Sequence, residues 1–235
     1  MLHPELGKII IKTNSRARNV IARRMSDQIL LTVPEGISRK HILETLELMK
    51  PRLQELATPK KPVFTESTIL QSNTFTADIK RYAISDKFRM TLRNGNLTVF
   101  VPQKLDIESP QSQSIIKQLI EEGLRHEAKR ILPAKTVQWA KKFNLSFRQV
   151  FIKKLISKWG SCSSDKNINL SLYLMLLDEK FIDYVILHEL THTVHLNHSA
   201  EFWKLLSQFC GEDAQGLRNQ LKYNLPESCR YFFSR

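Results

Sequence analysis

The sequence predicts an α+β protein: a β-rich N-terminal region with helices, followed by a core made of a small sheet and a histidine-bearing helix. Three observations predict it. Short apolar or alternating runs bounded by polar turns fill residues 8–33 and 74–101. Helical spacing replaces them after Ser38 and again from Gln111 to Phe143. From residue 150 onward, two apolar strand-like runs lead into two helices, the first of which carries His188, Glu189 and His192.

In chain order, KIIIK, NVIAR and QILLTV read as three brief strands. Ile42, Leu43, Leu46, Met49 and Leu53 recur at helical spacing behind Ser38, a suitable N-cap, and Pro51 predicts a kinked or frayed end. Residues 57–67, ATPKKPVFTES, have no period and form the best linker candidate, a loop within one domain being the equal alternative. MTLRNGNLTVFV predicts a hairpin, because Asn94-Gly95 between alternating runs suits a two-residue turn. The apolar stripe Ile115, Ile116, Leu119, Ile120 and Leu124 predicts a helix that Pro133 splits in two. QVFIKKLISKWGSC reads as a strand running into a Gly-Ser turn, and INLSLYLMLL as a second strand. Asp178 and Ser199 suit the N-caps of the two helices that follow, and Gly211 suits the exit of the second. The expected division is a β-rich region over 1–105 and a catalytic domain over 106–235, with no internal repeat visible.

Composition narrows the function. Apolar residues make up 42% and charged residues 25% of the 235, the balance of a chain that buries a core. No basic start with an apolar run marks a secretory signal, and no stretch approaches ~18 apolar residues. The expectation is a cytoplasmic protein with no membrane partner. Cys162, Cys210 and Cys229 are odd in number and form no CxxC pair, so reduced thiols are expected rather than disulfides. The net charge of +13 favours an anionic partner on the basic surface.

The chemistry concentrates at His188-Glu189-Leu190-Thr191-His192. Residues four apart share one helix face, so His188 and His192 can aim two imidazoles at one ion. Glu189, turned by about 100° from His188, can reach water at that ion without being a ligand. The surrounding apolar residues Tyr184, Val185, Ile186, Leu187, Leu190 and Val194 argue against idle polar groups in this helix, since buried polar groups need partners. A third ligand must approach from another direction. His195, in a continued helix, would sit two turns from His188, roughly 10.5 Å along the axis. His198 lies beyond a turn at Leu196-Asn197, ahead of Phe202-Trp203, and is the better candidate. The expected cofactor is one Zn2+ ion.

The run HELTHTVHLNHSAEFW, preceded by KWGSCSS and INLSLYL, resembles the YgjP-like metallopeptidases, related to SprT and WLM-type zinc proteases. The N-terminal stretch IKTNSRARNVIARR and the hairpin strands are also similar to that family's first half. The resemblance implies a zincin-type core, with His188, His192 and His198 as zinc ligands and Glu189 as general base. Lys158, Trp159, Gly160, Ser161 and Cys162 match the family's WGSC segment. There Lys158 and Trp159 are candidate substrate-binding residues, and a tight turn with Trp159 as packing is the plainer alternative. The family is mostly described as peptidases, and a bacterial relative is credited with nucleoside triphosphate pyrophosphatase activity on UTP.

Four readings follow. The first is a zinc metallopeptidase. The second is a metal-dependent nucleotide hydrolase, motivated by ten Lys or Arg against the single acid Glu127 in residues 125–160, although no GxxxxGK[ST] loop is present. The third is a protease recruited to nucleic acid through its basic surface, without a recognisable nucleic-acid motif. The fourth is a structural site closed by Cys162 as a fourth ligand.

Overall fold

A computed structural model describes residues 2–25, 28–55 and 62–233. The described residues divide into two compact units, one within 2–62 and the other Val63–Phe233. The boundary falls inside the expected linker, of which residues 57–61 lie outside the described part.

The first unit holds strands β1 (Leu2–His3), β2 (Gly7–Thr13), β3 (Ile21–Met25) and β4 (Gln28–Val33), then helix α1 (Arg39–Glu55). The sheet order is β1-β2-β4-β3, with β2 and β4 parallel and the other pairs antiparallel. One face alternates inward: Ile9, Ile29, Leu31 and Val33 share a core with Ile42, Leu46 and Leu53 of α1. Ser38 caps α1 through its Oγ, which accepts from the His41 N–H at 3.2 Å. The helix continues past Pro51 to Glu55.

The second unit begins with β5 (Leu70–Gln71), β6 (Thr76–Tyr82), β7 (Arg89–Arg93), β8 (Asn96–Pro102) and α2 (Pro110–Lys142). Asn94 and Gly95 both take positive φ, 50° and 73°, as the two-residue hairpin turn requires. This sheet shares its core with α2 and with everything after it: Leu97, Val99 and Val101 cluster with Ile116, Ile120, Leu124, Ile168 and Ile186. The division expected at 105/106 therefore falls within one compact unit. Gly123 permits the close packing of α2, because a Cβ there would lie 2.0 Å from Cδ1 of the buried Leu97. Overpacking costs about 1–3 kcal/mol and helix propensity returns at most ~1 kcal/mol. Gly123→Ala is thus expected to lower the urea midpoint, and an unchanged or raised midpoint would contradict this packing.

Pro133 does not split α2, which runs unbroken for 33 residues. Buried Leu124, Ala128, Leu132, Thr136 and Ala140 hold it on both sides of the proline. The carbonyl that loses its donor belongs to exposed Lys129, which water can satisfy.

The sequence shows no visible repeat, yet the fold has one. β5-β6-β8-β7 followed by α2 repeats the order and pairing directions of β1-β2-β4-β3 followed by α1. The register repeats too: Lys8↔Gln28 becomes Thr76↔Asn96, and Ile21↔Thr32 becomes Arg89↔Phe100, an offset of 68 at every position. Only the edge pair slips, from Leu2↔Lys8 to Leu70↔Ala77.

The rest of the unit is a three-stranded sheet, order β10-β11-β9, from β9 (Gln149–Lys153), β10 (Gly160–Cys162) and β11 (Asn167–Ser171). Two expectations change here. The Gly-Ser turn is strand β10, paired antiparallel to β11, and the second strand stops at Ser171, where a 3-10 helix Leu172–Leu176 begins. Ser171 causes the change, since its Oγ accepts from the Tyr173 N–H at 3.3 Å and caps the new turn. Helices α3 (Glu179–Thr191), α4 (Ala200–Cys210) and α5 (Ala214–Tyr223) complete the unit, Gly211 ending α4 in the left-handed conformation. Among the described residues, no helix is long and apolar enough to cross a membrane.

Candidate metal centre

Helix α3 buries most of its surface, including Ile182, Val185, Ile186 and Leu190. Its end is closed by hydroxyls: Thr191 Oγ1 donates to the Leu187 carbonyl and Thr193 Oγ1 to that of Leu190, both at 2.7 Å. The chain then turns back on itself, and Ser199 caps α4 through the Phe202 N–H. This turn carries His198 back over the end of α3.

His188, His192 and His198 converge, with one ligand atom from each lying within 4.8 Å of the others. His198 Nε2 and His188 Nε2 are 3.0 Å apart. Nitrogens around a tetrahedral zinc at about 2.0–2.1 Å stand roughly 3.3–3.4 Å from one another, so the spacing fits an ion with little adjustment. The His192 ring is oriented from behind, its Nδ1–H donating to the His195 carbonyl at 3.0 Å, which leaves Nε2 with its lone pair. His195 therefore serves through its backbone, and its ring is outside the group.

Burial disfavours the charged form of all three imidazoles. Burial pushes His188 down to about 3, helped by the neighbouring His192 and His198. Burial also lowers His192 and His198. Glu189 is 5% exposed, and burial pushes its carboxyl up to about 8 against the pull of the Lys158 ammonium and the Cys162 N–H. Two of the four buried side-chain polar atoms without a hydrogen-bond partner among the described residues are His188 Nδ1 and Glu189 Oε2. Such atoms are costly without a partner; an ion would take His188 Nε2, which faces His198 Nε2 at 3.0 Å, so Nδ1 needs a partner of its own, whereas Glu189 Oε2 is free for water at the site.

Phe202 packs the triad from one side. It is fully buried, and its ring centroid lies 5.0, 4.6 and 4.7 Å from those of His188, His192 and His198. Trp203 stacks on His198 at 5.6 Å, and the Arg218 guanidinium from α5 sits 5.5 Å over Trp203. Arg218 carries no sequence signal, because α5 follows the two helices that the sequence predicts after residue 150.

Gly160 is a second residue whose role the sequence does not reveal. A Cβ there would meet Glu189 Oε1, Cγ and Cδ at 2.7–2.9 Å, so the glycine of β10 lets the carboxylate lie against the strand. A glycine inside a short strand is the available signal for such close approach. Trp159 packs edge-on to Phe233 at 5.4 Å, while Lys158 is exposed and reaches Glu189 only through its charge. Cys162 is not in the ligand group: its Sγ donates to the Ser163 carbonyl at 3.5 Å. The basic stretch 125–160 is partly neutralised from within, as Arg130 pairs with Glu127, Lys154 with Glu121, and Lys135 with Glu179 and Asp183.

A small sheet above a helix whose end gathers three imidazoles and a carboxylate is the layout of a metallopeptidase-type domain. The chain matches the YgjP-like, metallopeptidase domain over residues 18–224, and it belongs to that family. Among solved structures it is similar to two metallopeptidase zymogens. Abylysin of Pyrococcus abyssi is 22% identical, with 40% of this chain and 97% of that one covered and a TM-score of 0.35. Jannalysin of Methanocaldococcus jannaschii is 23% identical, with 39% and 93% covered and a TM-score of 0.35. No curated protein matches the chain.

Proposed function

We propose that the protein is a zinc-dependent peptidase in which His188, His192 and His198 hold one zinc ion and Glu189 is the general base. One observation carries this reading: three imidazole nitrogens lie within 4.8 Å of one another beside a buried carboxylate with an unpartnered oxygen. Zinc, when bound, supplies a Lewis acid for a carbonyl and lowers the pKa of water. The chain's own residues do the remainder. A cation held by the neighbouring imidazoles would favour the ionised form of the buried Glu189, whose Oε2 then accepts the proton of the attacking water and later delivers it to the leaving amine nitrogen. Gly160 leaves room for that carboxylate, and Phe202 fixes the three rings.

A peptide is favoured over a nucleoside triphosphate by the family to which the chain belongs and by the internal pairing of Arg130, Lys135 and Lys154. The test is to assay zinc-loaded protein against casein and the four nucleoside triphosphates in parallel. Casein cleavage that disappears with a chelator and returns with zinc is expected, without pyrophosphate release. Pyrophosphate release without cleavage would overturn the peptide assignment.

The Gly160 contact gives a separate expectation. Gly160→Ala displaces Glu189, and a misplacement of this size lowers turnover by about 10²-fold. Zinc content should stay at the wild-type level. Full activity in this variant would remove Glu189 from its assigned position against β10.

A further inference from the structure

The two repeated modules offer a comparison inside one chain. In the first, residues facing away from the α1 core are Lys8, Ile10 and Lys12 on β2, Leu30 and Thr32 on β4, and Ile21 and Arg23 on β3; their alternating neighbours Ile9, Leu31 and Ala22 pack inward. Ile10 lies directly across from Leu30, and Ile21 is diagonal to it, across from Thr32. Ile10 and Ile21 are 38% and 47% exposed. Lys8, Lys12 and Arg23 are exposed around them. From Gly7 to Arg24 there are six basic residues and no acid.

The second module shows what the same positions carry in the other copy of the repeat. At the offset of 68, the positions of Ile10, Ile21 and Leu30 hold Asp78, Arg89 and Thr98. Lys8, Lys12, Arg23 and Thr32 correspond to Thr76, Lys80, Thr91 and Phe100, the last packed edge-on to Tyr82 at 5.7 Å. The same backbone and register therefore need no aliphatic side chains on this face. An apolar centre with a charged rim is the anatomy of a docking surface.

We propose that the open face of the first module, centred on Ile10, Ile21 and Leu30 and rimmed by Lys8, Lys12 and Arg23, docks an acidic polypeptide segment that carries aliphatic side chains. The rim supplies charge complementarity to carboxylates, and the centre needs an apolar counterpart. Single-stranded nucleic acid is bound on aromatic platforms, and none of these seven face residues is aromatic. The docking is independent of the chemistry at the histidine cluster.

The test uses the full chain and fluorescence anisotropy with four probes. These are a short peptide of glutamates interspersed with leucines, an all-glutamate peptide, a uridylate oligonucleotide, and vesicles containing phosphatidylserine. The Leu/Glu peptide is expected to bind at least about tenfold more tightly than the others, and more tightly at low salt. Installing the second module's residues, Lys8→Thr, Arg23→Thr and Leu30→Thr together, is expected to weaken that binding by about tenfold or more. Arg89→Thr with Arg93→Thr, which removes two charges from the matching face, should leave it unchanged. Far-UV circular dichroism checks folding, and Lys8→Glu with Lys12→Glu is the second variant if the first misfolds. Equal binding by wild type and both first-module variants, equal binding of the two acidic peptides, preference for the oligonucleotide or vesicles, or no binding at all would overturn the proposal.

Discussion

Replacing Glu189 with Gln is expected to lower casein hydrolysis by about 10²–10⁴-fold, the usual contribution of a positioned general base. The substitution keeps the shape of the side chain and its fit against Gly160, where the contacts are under 3 Å for an added Cβ. It removes only the capacity to accept a proton. Zinc binding should survive, since the proposed ligand atoms belong to His188, His192 and His198. Activity on casein and zinc content by mass spectrometry measure the two effects separately. A Glu189→Gln protein with wild-type turnover would assign the base elsewhere. One that loses its zinc would make Glu189 part of the metal's support.

The second large effect belongs to Phe202. Its ring fills the space among three imidazoles and is fully buried. Truncating a buried phenylalanine to alanine costs about 3–5 kcal/mol of folding stability. Losing the support behind metal ligands typically lowers affinity by about 10–100-fold. Phe202→Ala should therefore show both a lower urea midpoint and weaker zinc binding in a chelator competition. Phe202→Leu retains much of the volume and loses the flat ring, so it should separate the effects: small in stability, larger in affinity. Unchanged zinc affinity in Phe202→Leu would reduce Phe202 to a core residue.

Local signals in the sequence carry further than long-range ones. Asn94-Gly95 forms its turn because both residues accept positive φ, a property of two adjacent positions. His188 and His192 share a face because helical geometry requires it. His198 is legible for the opposite reason, since a third ligand would have to come from another direction and the turn after α3 brings His198 to the other two imidazoles. Gly160 is different. Its importance depends on a side chain 29 residues away in sequence, and nothing near it records that Glu189 lies there. Pro133 misleads because the local rule counts a lost hydrogen bond, whereas the buried residues flanking it hold the helix together.

The repeated module is the least legible feature. At the offset of 68, the identities within residues 2–34 are Leu2/Leu70, Ile11/Ile79, Lys12/Lys80, Val33/Val101 and Pro34/Pro102. What repeats is strand order, register and inward alternation, which many sequences satisfy. The helices diverge further, since α1 closes a small core of its own while α2 extends to 33 residues beneath a larger one.

Zinc-edge X-ray absorption on the zinc-loaded protein tests the central claim most directly. Three imidazole nitrogens at about 2.0–2.1 Å, with an oxygen completing the shell and no sulfur, is the predicted result. A sulfur scatterer at about 2.3 Å, which would bring Cys162 into a closed shell, or fewer than three imidazoles would contradict it.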